Sequence, residues 1–469
     1  MIQSNKVISF TLAYRDKIGI LSIYFPIYHN RYREIFMEKC IQIGLFGLGT
    51  VGKDLVNLLS NIQNPITENT GVPVKISKVV VANHKKNRGI DTSNFQIGTN
   101  PKLILDDNEL DVVVELTGDK TFADSMITFC LNKGTPVVTA NKALLAEKLR
   151  CLMQIARTTK TPFGFEASVG SGVPFLRFLR DGLSAERISE ITGVLNSSTN
   201  LILDLMKEHK YDYSQALEVA KRKGYTESDP RLDVNGDDTA HKLCIVSGLS
   251  FNQEIPLDLL PIQGISGLSY RDLEVAEESG FGVKLIGHAR INTSNLSAWV
   301  GPAFVPASHP LAAVSGIDNG LVITGRYTGR SFVQGKGAGS YNAALGVIND
   351  IIQIIQSRIQ ETGNFRYESR NPESSQKKTC FHPGGDNIEY VVRLENMVLI
   401  DEKTFLKKIF HEHHVNIAGL LNDFQKEASS GKTVYLKTEP CTWQQICSAL
   451  NQLQFKTDNR IRVKVFRAL

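Results

Sequence analysis

The twenty residues from Gly224 to Leu243, GYTESDPRLDVNGDDTAHKL, gather Glu227, Asp229, Asp233, Asp237, Asp238 and Lys242 into one short approach to a helix. A segment this acidic adds little to a core, so its carboxylates serve either solvation or chemistry. Pro230 and Asn235-Gly236 signal turns, and the run after Gly236 reads as a helix start with Asp237 or Asp238 near the cap. On that helix Asp238 and Lys242 are four residues apart and share a face. Such a pair is either a surface salt bridge, worth roughly a few tenths of a kcal/mol, or a carboxylate and lysine placed to handle a proton.

The chain that must position them is long enough, at 469 residues, for about three domains. A net charge of +5 over this length, with no basic run interleaved with aromatics, argues against a nucleic-acid partner. Seven scattered cysteines (Cys40, Cys130, Cys151, Cys244, Cys380, Cys441, Cys447) contain no CxxC, so neither a disulfide framework nor a zinc site is indicated. A reducing, cytoplasmic setting is expected. Residues 1–36 are basic and apolar in patches, but Arg15, Asp16 and Lys17 interrupt the run before it could span a bilayer, and no cleavage site follows a clean apolar core. No membrane association is expected. A basic presequence is one reading of this extension; the simpler one is that translation starts at Met37, since a complete domain begins just after it.

From Cys40 an apolar strand runs into Gly47-Leu48-Gly49-Thr50-Val51-Gly52 and then a helix with Leu55, Leu58 and Leu59 on one side. Strand, glycine turn and helix are the context a dinucleotide needs: the glycines allow the tight turn and bring the pyrophosphate to the helix N-terminus. A second strand, 76–82, leads to Lys85, Lys86 and Arg88 with no acid beside them. A ribose 2′-hydroxyl calls for an acid there and a 2′-phosphate for cations, so NADP is favoured over NAD, although a solvated basic loop would look the same. Strands at 111–116 and 135–139 end in Thr117-Gly118 and Ala140-Asn141-Lys142. Ligands gather at such carboxyl ends, which puts Lys142 where cofactor meets substrate. The turn from Glu166 to Pro174 is glycine-rich and could bind an ion or substrate, or simply cross between domains. A strand over 188–195 then leads to the polar run Asn196–Asn200.

GLGTVG, VVTANK (137–142), EASVGSGVP (166–174), GVLNSSTN (193–200) and the acidic stretch, in this order and spacing, resemble homoserine dehydrogenase over about residues 40 to 350. The resemblance implies reduction of aspartate 4-semialdehyde to homoserine, in the supply of threonine, methionine and isoleucine. Lys242 is similar to the family's proton-transferring lysine and Lys142 to its second active-site lysine. By the same resemblance Gly224, Glu227, Asp229, Asp233 and Asp238 would form the substrate-binding constellation, the acids facing the substrate ammonium. Thr117 and Thr139 resemble the nicotinamide-side contacts, and Gly339 lies in a segment that touches the dinucleotide. The backbone carbonyls of Glu166, Val169, Ser171 and Val173 would hold a monovalent cation such as sodium; Ser171 stands where Gly or Ala is more usual.

The expected fold is α/β: a Rossmann-like doubly wound parallel sheet over 37–165, an α+β substrate and dimerisation domain over 166–334, and a segment over 335–360 returning to the cofactor domain. A polar linker over 361–387 precedes a β-α-β-β-α-β pattern over 388–469, which is ferredoxin-like and resembles an ACT domain, so threonine is a possible effector. A homodimer or homotetramer is expected. Two rivals stay open. Aspartate semialdehyde dehydrogenase shares the metabolite but needs a nucleophilic cysteine in a catalytic motif, and an amino-acid sensor could keep the fold without turnover.

Overall fold

Ile41–Phe46 is apolar and enclosed on both faces, the pattern of a central parallel strand. In the computed structural model, which describes residues 10–14, 17–21, 40–226, 229–292, 295–359, 380–381, 387–397, 402–421, 432–457 and 461–469, it lies third in a six-stranded parallel sheet. The order is Gln96–Gly98, Val74–Val80, Ile41–Phe46, Val112–Glu115, Val137–Thr139, Phe163–Gly164. Strands are added outward on both sides of Ile41–Phe46, so its carboxyl end and that of Val112–Glu115 form the switch point at which doubly wound sheets bind ligands. Leu55 and Leu59 of helix Thr50–Asn61 and Ala344, Val347 and Ile351 of helix Ser340–Ile359 cover one face. Ala123, Ile127 and Leu131 of Lys120–Lys133 and Leu144 and Leu145 of Lys142–Thr158 cover the other. The helix Ser340–Ile359 thus does return to this domain. Strands Gln96–Gly98 and Phe163–Gly164 carry too few residues for a period to show in the sequence.

The second sheet has ten strands. Its main path runs Gly329–Lys336, Asp318–Gly325, Ile188–Val194, Phe281–Ile291, Asn295–Pro306, Arg462–Ala468, Glu389–Met397, Lys432–Thr438, Ile417–Leu420. The join is at Ala303 opposite Arg467 and Phe304 opposite Ala468, in parallel, so the C-terminal unit continues the sheet of the substrate domain. The element order there, from Glu389–Met397 through helix Glu402–Glu412, two strands and helix Trp443–Lys456 to Arg462–Ala468, follows the pattern read from the sequence. Thr442 and Gln445 close a capping box on the second helix.

Three features depart from the sequence reading. Cys380–Phe381, inside the segment taken as linker, is a strand paired with Asn295 and Leu296. Helix Tyr270–Glu278, opened by a Ser269/Asp272 capping box, does not figure in the sequence reading, because two turns of helix among turn signals leave no long apolar period. Phe10–Tyr14 and Lys17–Leu21 pair as an antiparallel hairpin; Met37, the expected start, lies outside the described residues. Among the described residues no helix is long and apolar enough to cross a membrane.

Candidate active site

Two helices, one from each domain, bring the chemistry together. Val137–Thr139 ends at the ligand-binding edge of the parallel sheet, Asn141 caps the next helix by accepting from the Leu144 amide at 3.2 Å, and Lys142 is that helix's first residue. Gly236, at φ +95°, turns the acidic stretch into helix Asp237–Phe251, so Asp238 and Lys242 fall on its first turns. The Asp238 carboxylate is 2% exposed and bridges the domains. Its Oδ1 accepts from Lys142 Nζ, and its Oδ2 from Lys242 Nζ at 2.8 Å and Asn196 Nδ2 at 2.8 Å. Burial alone would raise its pKa, but Lys242 and Lys142 together hold it below the usual carboxylate range. Lys242 Nζ also donates to the Leu195 carbonyl at 2.7 Å. Two of its three donors are thereby used and one is left for a substrate atom.

Asn196 is the organiser that sequence reasoning passed over. Its Oδ1 caps helix Ser197–His209 by accepting from the Thr199 amide at 2.8 Å, while Nδ2 donates to Asp233 Oδ1 at 2.7 Å and to Asp238. One amide therefore fixes the distance between two acids of the expected substrate set. Asn319 supports the same point, donating to the Leu195 carbonyl at 3.1 Å and accepting from Ser197 Oγ at 2.9 Å. Asp229 is not brought in: it pairs with Arg231 at 2.5 Å, and both side chains are exposed. Gly224, at φ +74°, closes the helix Tyr213–Arg222, and the neighbouring Tyr225 carbonyl accepts from Ser198 Oγ at 3.0 Å. Glu227 lies outside the described residues.

At the switch point a cleft of about 530 Å³ is lined by Gly47, Leu48, Gly49, Lys86, Arg88 and Thr117, among others. The glycines have separate reasons. A Cβ on Gly47, already at φ +93°, would lie 2.6 Å from the Leu116 carbonyl, and one on Gly52 would lie 2.4 Å from the Gly47 carbonyl. Above Gly49 there is open space. Gly49 is the N-cap of helix Thr50–Asn61, no side chain caps that end and no acid stands in its first turn, so the amides and the positive end of the helix are available to a phosphate. Val51 is half-buried beside them and packs against the core. Arg88 donates to the carbonyls of Asn83 and Lys86, which folds it along the loop, while Lys85 is not among the residues lining the cleft. Thr117 Oγ1 and Thr139 Oγ1 both donate to the fully buried Glu115 carboxylate, at 2.6 and 2.7 Å, so Glu115 ties together the ends of two adjacent strands. A lone acid in the apolar run Val112–Leu116 was the signal for it.

The glycine-rich loop turns through Gly170 at φ +72° and Ser171 at φ +57°, the latter a conformation that favours glycine. Helix Ser340–Ile359 packs on it: a Cβ on Gly346 would lie 2.7 Å from the Ser171 carbonyl, and Asp350 Oδ2 accepts from the Glu166 amide at 2.8 Å. Glu166 Oε2 and Asp350 Oδ1 are buried without hydrogen-bond partners. Burial, then the neighbouring Asp350, pushes the Glu166 carboxyl up to about 8. Gly339, at φ +113°, starts the same helix.

Comparison with known proteins agrees with this arrangement. A family profile described as "Homoserine dehydrogenase, NAD binding domain" matches residues 47–166, and one described as "Homoserine dehydrogenase" matches residues 174–352. The chain is 33% identical over 420 residues to the homoserine dehydrogenase of Helicobacter pylori, covering 89% of this chain and 96% of that one, and 35% identical over 327 residues to that of Bacillus subtilis, covering 70% and 76%. The crystal structure of the enzyme from Thiobacillus denitrificans superposes with a TM-score of 0.84 at 28% identity, covering 92% of this chain and 98% of that one. A mutant of a hyperthermophilic archaeal homoserine dehydrogenase in complex with NADPH superposes with a TM-score of 0.58 and 25% identity, covering 67% of this chain and 98% of that one. With a nicotinamide-dinucleotide fold, two lysines held on one buried carboxylate and relatives aligned across both domains, the chain belongs to the homoserine dehydrogenase family, a family of oxidoreductases.

Proposed function

We propose that this chain reduces L-aspartate 4-semialdehyde to L-homoserine, reversibly, with Lys242 as the group that exchanges the proton. The observation that carries the reading is the Lys142–Asp238–Lys242 bridge between the cofactor and substrate domains. When bound, the reduced nicotinamide supplies the hydride. The chain's own part is electrostatic. Lys242 Nζ, anchored on Leu195 and Asp238, has one donor left, and it gives that proton to the substrate oxygen as negative charge develops there. Lys142 holds the other Asp238 oxygen and brings a second positive charge to the same place. Both Asp238 oxygens are engaged by its three partners, so its role is to fix the lysines. Asp233, held by Asn196, and Glu227 are then the acids for the substrate ammonium. Asp229, paired on the surface, is not.

Lys86 and Arg88 at the lip of the cleft support NADP as the preferred dinucleotide, with NAD the weaker one. Homoserine-dependent reduction of NADP and of NAD, followed by absorbance, tests the activity and this preference together. Absence of turnover with both, from folded protein that binds dinucleotide, would favour the sensor. Against the semialdehyde dehydrogenase rival, Cys244, the cysteine on the active-site helix, is buried against the Ile255 carbonyl and burial pushes its thiol up to about 12.

Three further roles are part of the proposal. The carbonyls of Glu166, Val169, Ser171 and Val173 hold a monovalent cation, supported by the two unpartnered carboxyl oxygens beside the loop. Melting in sodium chloride against tetramethylammonium chloride at equal ionic strength tests it. The C-terminal unit is a ferredoxin-like, ACT-like module, supported by its element order and by its last strand lying beside its first in the sheet. The chain forms a homo-oligomer, supported by the edge strand Gly329–Lys336 with Phe332 and the nearby Tyr327 exposed.

A further inference from the structure

The seam between the C-terminal unit and the substrate domain contains a second cleft, of about 510 Å³, lined by Gly267 from one side and Arg393, Glu395, Arg462 and Lys464 from the other. Its charges are unevenly satisfied. Asp272, fully buried beneath it, is saturated: Oδ2 accepts from Arg393 Nη1 at 2.5 Å and from the Ser269 amide at 2.8 Å, and Oδ1 accepts from Tyr435 at 2.8 Å. Glu395 is within 3.1 Å of Arg393 Nε. Lys464 and Arg462 have no hydrogen bond or ion pair among the described residues, although Lys464 is half-buried and points at Gly267, where a Cβ would lie 2.5 Å from its Nζ. Burial lowers the Lys464 ammonium to about 8. Asp272 and Glu395 offset part of that cost without forming an ion pair with Lys464, and the ammonium faces a cleft.

We propose that this joint binds a small carboxylate, held by Lys464 and the guanidinium fork of Arg462. A planar two-oxygen group suits a fork beside a point charge. Glu395, opposite Arg462 in the strand pair, disfavours polyanions and gives the ammonium of an amino acid a partner. The site lies on the side chains of strands Glu389–Met397 and Arg462–Ala468 that face Gly267, and it stands whether or not the C-terminal unit takes an effector elsewhere.

The chain's two tryptophans report on this seam, since Trp299 and Trp443 flank Arg467 at 4.5 and 4.6 Å, on the same strand as Lys464. Intrinsic fluorescence of the full chain would be titrated with propionate, L-alanine, L-threonine and inorganic phosphate at constant ionic strength. Saturable binding of propionate or an amino acid is expected, weakened about tenfold or more in Lys464→Met and in Arg462→Gln, as for loss of one charge-assisted hydrogen bond. Propionate binding as well as L-alanine marks a carboxylate site, and a preference for L-alanine adds Glu395. Lys464→Met should melt no lower than the wild type without ligand, because it removes an unpaired half-buried charge; Arg462→Gln, at an exposed position, is the second check on folding. The proposal is overturned if no carboxylate saturates, if phosphate binds as tightly as all of them, or if both variants bind as the wild type does.

Discussion

At the scale of residues, the account turns on one carboxylate. Asp238 is buried and carries two ammonium groups and an amide, so removing its charge leaves Lys142 and Lys242 repelling each other in a partly desolvated site. Asp238→Asn should cost about 3 kcal/mol or more in folding free energy, read from the urea midpoint, because breaking a buried pair strands its partner charge. Since its folded pKa is depressed, the stability it contributes is fully present above the ordinary value of 3.8 and is lost as pH falls through the depressed folded value. A midpoint unchanged in Asp238→Asn would show that the bridge does not form in solution. Lys242 and Asp238 were legible in the sequence because they lie four apart on one helix. Asn196 and Asn319 were not, because their partners lie 42 and 124 residues away and only the folded sheets bring them within reach. Asp229 stands apart from this cluster for a local reason: Arg231, two residues on, pairs with it at the surface.

At the scale of elements, glycine placement and sheet burial make separate predictions. Gly47→Ala combines a left-handed φ with a Cβ 2.6 Å from backbone, so it must shift the strand-helix turn. Dinucleotide affinity measured by calorimetry should fall by an order of magnitude or more, about 1.4 kcal/mol per tenfold. Affinity equal to wild type would place the pyrophosphate elsewhere. His288, in the strand Phe281–Ile291, is buried between Thr192 and the face of Trp299, and burial lowers its pKa to about 3. The unfolded chain takes up that proton near 6.5 and the native chain does not, so stability is lost as pH falls from about 6.5 towards 3. His288→Gln should flatten the change in urea midpoint between pH 7 and pH 5. The Rossmann half was legible because its central strand Ile41–Phe46 runs straight into a glycine turn of fixed spacing and a helix. The short strands and the helix Tyr270–Glu278 gave too few periods to read.

At the scale of the whole molecule, the C-terminal unit is joined edge to edge with the substrate domain rather than tethered beside it. Phe466 is fully buried and meets Phe304 across the seam with ring centroids 5.1 Å apart. Phe466→Ala should destabilise the chain by roughly 3–5 kcal/mol and shift the fluorescence of Trp299 and Trp443 with the same transition. Two separate melting transitions in the wild type would contradict a shared sheet. The β-α-β-β-α-β order could be read from the sequence, but the join could not: a two-residue parallel pairing between residues 303–304 and 467–468 leaves no local pattern.

The most direct test of the central claim is the rate of homoserine-dependent NADP reduction by Lys242→Ala beside dinucleotide binding in the same preparation. The account predicts a fall in kcat of about 10²–10⁴-fold with the dinucleotide Kd unchanged, because Lys242 lies on the substrate-domain helix and not in the glycine cleft. Turnover like that of the wild type in Lys242→Ala would remove the proton-exchange role from this lysine and, with it, the mechanism built on the Asp238 bridge.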